Sequence, residues 1–351
     1  MRVLVFNAPW NLSVDHREDP VPGDGEVLVQ VAATGICGSD VHGFTGENGR
    51  RHPGQVMGHE TVGHVAAVGA GVTEEQGIQI GDTVTVNPVI ACGRCPACRA
   101  GADQSCPERR VIGVDPTIVS AFAEKFLAPA GNVVVLPAEM PLEFGALIEP
   151  LSVGFHAARR GGCSSEDTVL VIGGGPIGQA CVLAAQRLGA ARVVVTEPDP
   201  HRRTLAGSLG VSAVDPTAAG GADVREALGG PATLVLDAVG STGSYADAVR
   251  YTSFGARVVL VGMNSPRIDL PAYSVSTEER TLIGSFCYSA ADFRETAAWV
   301  GQGPGVLHRL VDGRVDLARA AEAFAALASG TTPKSKVLVF PQGVPAGLRD
   351  D

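Results

Sequence analysis

The stretch Asp167-Thr-Val-Leu-Val-Ile172-Gly173-Gly-Gly175-Pro-Ile-Gly178 decides the fold. An apolar run of strand length enters three glycines spaced G-x-G-x-x-G, and the segment 176–188 that follows reads as a helix. Gly173 permits the turn, Gly175 lets a pyrophosphate approach the backbone, and Gly178 allows the helix to pack closely. Pro176 and Ile177 lie in the first helical turn, where free amides face an anion. A glycine triplet alone means little in a chain with 45 glycines, so the acid downstream matters. Glu197 ends the next apolar run, 191–197. A carboxylate there accepts hydrogen bonds from both ribose hydroxyls of NAD and repels the 2′-phosphate of NADP, so NAD is the expected cofactor. The opposing signal is His201-Arg202-Arg203, since an arginine in this loop can pair with a phosphate or stack on adenine.

Outward from this point the rhythm continues. Strands are expected at 233–239, 256–262 and 281–286, and helices at 201–209, 291–300 and 317–327, with a last strand at 336–340. Strand alternating with helix gives a parallel, doubly wound sheet with right-handed crossovers, an α/β fold. Residues 1–149 read differently. Short apolar runs at 1–6, 27–33, 61–68 and 82–86 among many glycines and prolines predict an all-β, loop-rich domain. A length of 351 residues with 45% hydrophobic content exceeds what one core usually carries, so two domains are expected.

Charge and composition exclude several classes. A net charge of −10 argues against nucleic acid or anionic lipid as partner, and 5% aromatic content argues against a base-stacking platform. The N-terminus lacks the apolar core and cleavage site of a secretory signal, and no run reaches membrane-span length. Together with cysteines that read as metal-bound or free, this predicts a cytoplasmic protein with a small-molecule partner.

The cysteines carry the next signal. Cys92-Gly-Arg-Cys95-Pro-Ala-Cys98, closed by Cys106, gathers four of the chain's 8 cysteines into one short segment. C-x2-C-x2-C wraps three thiolates around one ion and Cys106 supplies the fourth, a closed and therefore structural zinc site. The alternative, two disulfides, demands cramped loops. Two further pieces, Gly35-Ile-Cys37-Gly-Ser39-Asp40-Val-His42 and Gly58-His59-Glu60, place a thiolate, an imidazole and carboxylates on separate loops, the donor set of an open catalytic zinc site.

With Glu149-Pro-Leu-Ser-Val-Gly-Phe-His156 and the 281–288 segment added, nearly the whole chain resembles the zinc-containing medium-chain dehydrogenase/reductase (alcohol dehydrogenase) superfamily, closest to its sorbitol and threonine dehydrogenase branch. The resemblance implies a GroES-like catalytic domain at 1–149 with the zinc lobe at about 90–107, a Rossmann NAD-binding domain at 150–286, and a tail at 287–351 that completes the catalytic domain. It implies two zinc ions per chain. Cys37 and His59 are the implied ligands of the catalytic one, with Glu60 or Glu149 as the third. Residues 59 and 60 would point to opposite faces of a regular strand, so both reach one ion only if the backbone bends there.

Ser39 and His42 are the implied proton-relay residues, and His156 is read as packing. Val239, the Val261-Gly262-Met263 turn and Ser285-Phe286 are the implied cofactor contacts beside Ile177, Glu197 and Arg202. The sorbitol enzymes carry an arginine where Cys287 stands, so a less charged pocket lined by Phe44 and Tyr288 is expected. Cys163, Cys181 and Cys287 are read as free buried thiols. The implied activity is oxidation of a secondary hydroxyl of a polyol, sugar-derived alcohol or cyclitol with hydride transfer to NAD. The alternatives are a threonine-type amino-alcohol dehydrogenase or a non-catalytic zinc- and NAD-binding relative. A homotetramer, or a homodimer, pairing through the edge strand 281–286 or the segment before it is implied by analogy.

Overall fold

The computed structural model describes residues 1–47, 49–218, 222–332 and 335–348. Two compact units divide the chain, Met1–Glu149 with Ser289–Asp351, and Pro150–Tyr288.

The first unit is built on a seven-stranded sheet. Its order is Val133–Val135, Thr83–Val86, Glu60–Val68, Glu26–Gly35, Val337–Phe340 and Gly313–Asp316, with Lys125–Pro129 also paired to Glu26–Gly35. A three-stranded sheet, Asn11–His16, Arg2–Ala8 and Gln55–Val56, stands beside it. Valine-rich strands suit this arrangement because branched side chains pack on a pleated, covered surface. Val27, Val29, Val31, Val65, Val84 and Phe126 fill one core cluster. Phe6, Phe44, Phe122, Phe324 and Val339 belong to another.

The register matters for function. Gly35 pairs with Glu60 on one side and with Leu338 on the other. Three segments far apart in sequence therefore end at the same place, at Ile36-Cys37, at His59-Glu60 and at Lys336. This unit is not wholly β, as the sequence had suggested. The helix Gly38–Thr45 follows directly on the strand Glu26–Gly35, with Cys37 at its N-cap and Gly46 at φ +84° closing it. Its eight residues include two glycines and a β-branched valine and threonine, which hides it from periodicity.

The second unit carries six parallel strands in the order Ser212–Val214, Arg192–Thr196, Thr168–Ile172, Ala232–Asp237, Thr252–Leu260 and Thr281–Gly284. The order reverses between Thr168–Ile172 and Ala232–Asp237, and ligands of such sheets bind beyond the carboxyl ends of the strands at that point. Val169, Leu170 and Val171 are fully buried, as expected of a central parallel strand covered on both faces. Pro176–Arg187 and Thr242–Arg250 are among the crossover helices. Thr281–Gly284 is an edge strand.

Candidate active site

One ligand atom each from Cys37, His59 and Glu60 lies within 4.8 Å of the others. The local sequence explains how. Gly58 stands at φ +104°, and a Cβ on it would meet the Phe122 amide nitrogen at 2.7 Å, so only glycine makes this approach. The strand begins at Glu60, leaving His59 outside it. Strand alternation therefore does not bind the pair, and both side chains turn into the same cluster. Gly35 provides the remaining room, because a Cβ there would lie 1.9 Å from Glu60 Oε2.

Buried charge surrounds the cluster. Asp40 is fully buried, and its Oδ2 accepts the Cys37 amide at 3.2 Å. Its Oδ1 lies 3.6 Å from His59 Nδ1 and 3.6 Å from Arg51 Nη2. Asp40 Oδ1 and His59 Nδ1 are both buried and each lacks a hydrogen-bond partner. A carboxylate behind the far nitrogen of a ligating histidine is the usual support of such a ligand, so the pair fits a metal on the near side. Burial pushes the Asp40 carboxyl up in pKa, against the pull of His59 and Arg51. Burial also works to keep His59 neutral, but Asp40, Cys37 and Glu149 outweigh it and hold its pKa well above the ordinary histidine value.

Lys336 closes the cluster. Its Nζ donates to Glu60 Oε1 at 2.7 Å, to Oε2 at 2.6 Å and to the Ile36 carbonyl at 3.4 Å. Burial opposes its charge, yet Glu60, Cys37 and Glu149 raise its pKa above the usual lysine range. Sequence reasoning missed Lys336, Arg51 and Gly35. A lysine before a terminal apolar strand carries no local mark, and only the strand order brings it to a residue 276 positions away.

Glu149 is buried in the first turn of the helix Ile148–Arg160. It bears on His59 and Lys336 through its charge. Among the described residues it is not in the 4.8 Å group. Ser39 is half-buried in the first turn of Gly38–Thr45. His42 is exposed on the same helix with Nδ1 2.6 Å from Glu47 Oε2. Phe44 departs from expectation. It is 2% exposed and packs edge-on against Trp10 and Phe324 in a core cluster. Tyr288 is fully buried.

In the lobe, Cys92, Cys95, Cys98 and Cys106 bring their sulfurs within 4.8 Å of one another, and none of the chain's cysteines is in a disulfide. Cys95 Sγ lies 3.4 Å and Cys92 Sγ 3.9 Å from Cys98 Sγ. Four sulfurs at the zinc–thiolate bond length of about 2.3 Å stand roughly 3.8 Å apart, so this spacing fits the ion. Backbone amides of Arg94 and Cys95 pull the Cys92 thiol down to about 7, whereas burial and then Cys95 push Cys98 up to about 12. Of the remaining cysteines only Cys181 is buried, and Cys163 and Cys287 are half-buried.

In the second unit Gly173 stands at φ +95°, and a Cβ on Gly178 would lie 1.8 Å from the Gly173 carbonyl. Space around Gly175 is open. Pro176 opens the helix and Ile177 follows it. Glu197 accepts the Gly174 amide at 2.7 Å and the Asp199 amide at 2.9 Å, so both oxygens are fixed. Arg202 is exposed, while Arg203 is bonded to the Glu197 and Pro198 carbonyls at 2.7 and 2.8 Å.

Two further loops interlock beside this turn. The Val261 and Gly262 amides donate to the Asp237 carbonyl, and a Cβ on Gly262 would meet the Val239 carbonyl carbon at 2.3 Å. The buried Asp237 carboxylate accepts the Val239 and Gly240 amides and the Ser244 hydroxyl, at 2.9, 3.0 and 2.9 Å. Met263 and Phe286 are exposed, and the Ser285 hydroxyl is buried without a partner.

Comparison with known proteins places this arrangement. Residues 23–138 match the alcohol dehydrogenase GroES-like domain, and residues 176–302 match the zinc-binding dehydrogenase family. L-galactonate-5-dehydrogenase of Escherichia coli K12 is 32% identical over 92% of this chain and 94% of its own. The crystal structure of galactitol-1-phosphate dehydrogenase from Escherichia coli superposes with a TM-score of 0.88 at 29% identity, covering 97% of this chain and 100% of that one. A structure from Sinorhizobium meliloti 1021, described as a zinc-binding dehydrogenase bound to NADP, gives a TM-score of 0.88 at 30% identity over 97% and 99% of the two chains. The matched family is described as zinc-binding, and it is the Sinorhizobium structure that holds NADP. The chain belongs to the zinc-dependent medium-chain dehydrogenase superfamily, in its polyol dehydrogenase branch.

Proposed function

We propose that the chain oxidises a secondary hydroxyl of a polyol, a sugar-derived alcohol or a cyclitol to the ketone, with hydride transfer to NAD. The observation that carries this is the convergence of Cys37, His59 and Glu60 on one point, with Asp40 behind the histidine. Cys37 and His59 would hold the catalytic zinc, with Glu60 or Glu149 as third ligand, and the four lobe cysteines the structural one. When bound, the zinc supplies a Lewis acid that lowers the pKa of an alcohol hydroxyl.

The chain's own residues carry the proton outward. Ser39 is the first relay hydroxyl and His42 the second group. Glu47, an exposed carboxylate, can only accept at His42 Nδ1 when ionised, so Nδ1 carries the hydrogen and Nε2 keeps a lone pair for the incoming proton. His42 is exposed and can pass that proton to water.

NAD is favoured over NADP because the carboxylate of Glu197 is fixed by two backbone amides and cannot swing aside for a phosphate. Arg203 is engaged by two carbonyls, and Asp215 lies 3.4 Å from it. Gly173, Gly175, Pro176, Ile177 and Gly178 would cradle the pyrophosphate. Arg202, Val239, Val261, Gly262, Met263, Ser285 and Phe286 are proposed as further contacts.

Self-association as a homotetramer or homodimer through the edge strand Thr281–Gly284 is supported by the exposed Phe254, Leu270, Tyr273 and Phe286 in the flanking segments. A lobe of four thiolates also favours a reducing compartment, the cytoplasm.

The test follows nicotinamide reduction with NAD and NADP separately over polyols, cyclitols, diols and L-threonine, beside a Cys37→Ser control. NAD-dependent turnover that disappears in the control supports the proposal, and turnover restricted to L-threonine rejects the polyol class. For the third ligand, Glu60→Ala and Glu149→Ala variants that both keep full zinc and full turnover would remove both glutamates from the site.

A further inference from the structure

Asp237 ends the strand Ala232–Asp237, on the carboxyl side of the sheet where the strand order reverses, and is fully buried. Its carboxylate is filled by main-chain amides and a hydroxyl. Oδ1 accepts the Val239 and Gly240 amides at 2.9 and 3.0 Å, and Oδ2 accepts the Ser244 hydroxyl at 2.9 Å. Its main-chain carbonyl is used too, accepting the Val261 and Gly262 amides at 3.0 and 2.8 Å. One residue thereby holds the loops that leave two neighbouring strands, Ala232–Asp237 and Thr252–Leu260.

The loops are also tied to each other. The Asn264 amide donates to the Val239 carbonyl at 3.1 Å, and the Ser265 amide to the Gly240 carbonyl at 3.0 Å. Gly240 stands at φ +75°, and a Cβ on it would lie 2.1 Å from the Gly262 carbonyl oxygen, so a side chain there would part them. Val239 reaches the glycine turn as well, since its Cγ2 is 2.8 Å from the place a Cβ on Gly173 would take. All of these bonds run within the chain, so they can hold the loops in place ahead of a ligand.

Position divides the labour. Glu197 follows the strand Arg192–Thr196 on one side of the reversal, and Asp237 ends the strand on the other. A dinucleotide lying across the reversal puts its adenosine at Glu197 and its nicotinamide half over Val239 and residues 261–263. We propose, resting on the reading of these loops as contacts of NAD, that Asp237 is a positioning residue which fixes the loops under the nicotinamide half and so sets the affinity for that half alone. A loop already in its bound shape loses little freedom when ligand binds, and the difference appears in the dissociation constant. A loop whose buried amides lack an acceptor rearranges to find one.

The experiment uses the full chain and two probes, NAD and AMP, titrated by calorimetry, with thermal unfolding to check that each variant is folded. AMP reports the adenosine side only. Asp237→Ala should raise the NAD dissociation constant by about tenfold and leave that of AMP within about twofold. Asp237→Asn keeps an oxygen for both amides and gives up only the acceptor facing Ser244, whose hydroxyl has the Ser241 carbonyl at 3.0 Å as another. It should retain most of the NAD affinity.

An unchanged NAD constant in Asp237→Ala overturns the proposal. Equal losses for NAD and AMP mark general damage to the sheet and overturn it too, as does an Asp237→Asn variant as weak as Asp237→Ala. If Asp237→Ala does not fold, Gly240→Ala takes its place. Its new Cβ parts the loops without touching the carboxylate, so the same selective loss is expected, and no loss again overturns. A wild-type chain that binds neither NAD nor AMP rejects the dinucleotide reading itself, a result distinct from any Asp237 outcome.

Discussion

The two candidate metal positions of this chain are built in opposite ways. The lobe takes its four sulfurs from residues 92–106, a segment that closes on itself with local amides and one short helix, Pro96–Arg99. The catalytic cluster takes Cys37 from the end of one strand, His59 and Glu60 from the start of another, and Lys336 from the approach to a third. Four like ligands in a short loop leave nothing open and need little from the rest of the molecule. Unlike ligands on separate strands leave a position open, and the sheet has to hold them. A closed site can be local, whereas a reactive one is distributed.

The sharpest way to break this contrast is Cys37→Ser. Loss of one metal of two and a drop in turnover on the order of a thousandfold or more are expected, with the lobe still loaded. Metal analysis beside kinetics checks it, and loss of both metals would mean that the positions are coupled. Next in size is Gly35→Ala. The new Cβ would need the place 1.9 Å from Glu60 Oε2, so the carboxylate must leave its seat on Lys336. A displacement of that order costs roughly a hundredfold in kcat/KM. If kinetics are unchanged in a folded variant, the strand register does not govern the site.

Cys98→Ser tests the other side. It should lose the lobe zinc and about 3 kcal/mol of stability, roughly 10 °C in Tm, while turnover per folded chain stays within about tenfold. Thermal unfolding with zinc content decides the matter. Glu197→Ala releases the Gly174 and Asp199 amides and removes a ribose acceptor, so KM for NAD should rise by about tenfold and the preference over NADP should shrink. Paired titrations with the two dinucleotides measure it.

The lobe also predicts a pH dependence. With Cys98 raised to about 12, its proton is bound at neutral pH and must leave when metal enters. Cys92, lowered to about 7, is already about half deprotonated there. Proton release favours loading as pH rises, so lobe affinity weakens by about tenfold per proton released for each unit of acidification. Zinc competition titrations between pH 8 and pH 6 give the slope.

How much of this the sequence revealed follows the same division. Spacing alone marks the lobe, and the strand-turn-helix around Gly173 to Gly178 marks the parallel sheet, because both are short-range patterns. The motif around Cys37 and His59 was visible as pieces, and their proximity depended on the resemblance. Phe44 was misjudged because a residue after a metal-binding motif looks like a pocket wall, while its neighbours in space, Trp10 and Phe324, come from both ends of the chain. Lys336 was invisible for the same reason. A charge becomes informative only when its partner is known, and the partner is set by strand order.

The insertion of Val337–Phe340 between Glu26–Gly35 and Gly313–Asp316 has a consequence for synthesis. The ribosome delivers the lobe cysteines well before this central strand, so a nascent chain can take up its first metal long before the second position has its lysine. Until Lys336 emerges, Cys37, His59 and Glu60 lack both their neighbouring strand and their counter-charge. Completion of the candidate reactive centre thereby waits for residue 336, and a chain stalled shortly before it would carry metal in its lobe without a finished catalytic centre.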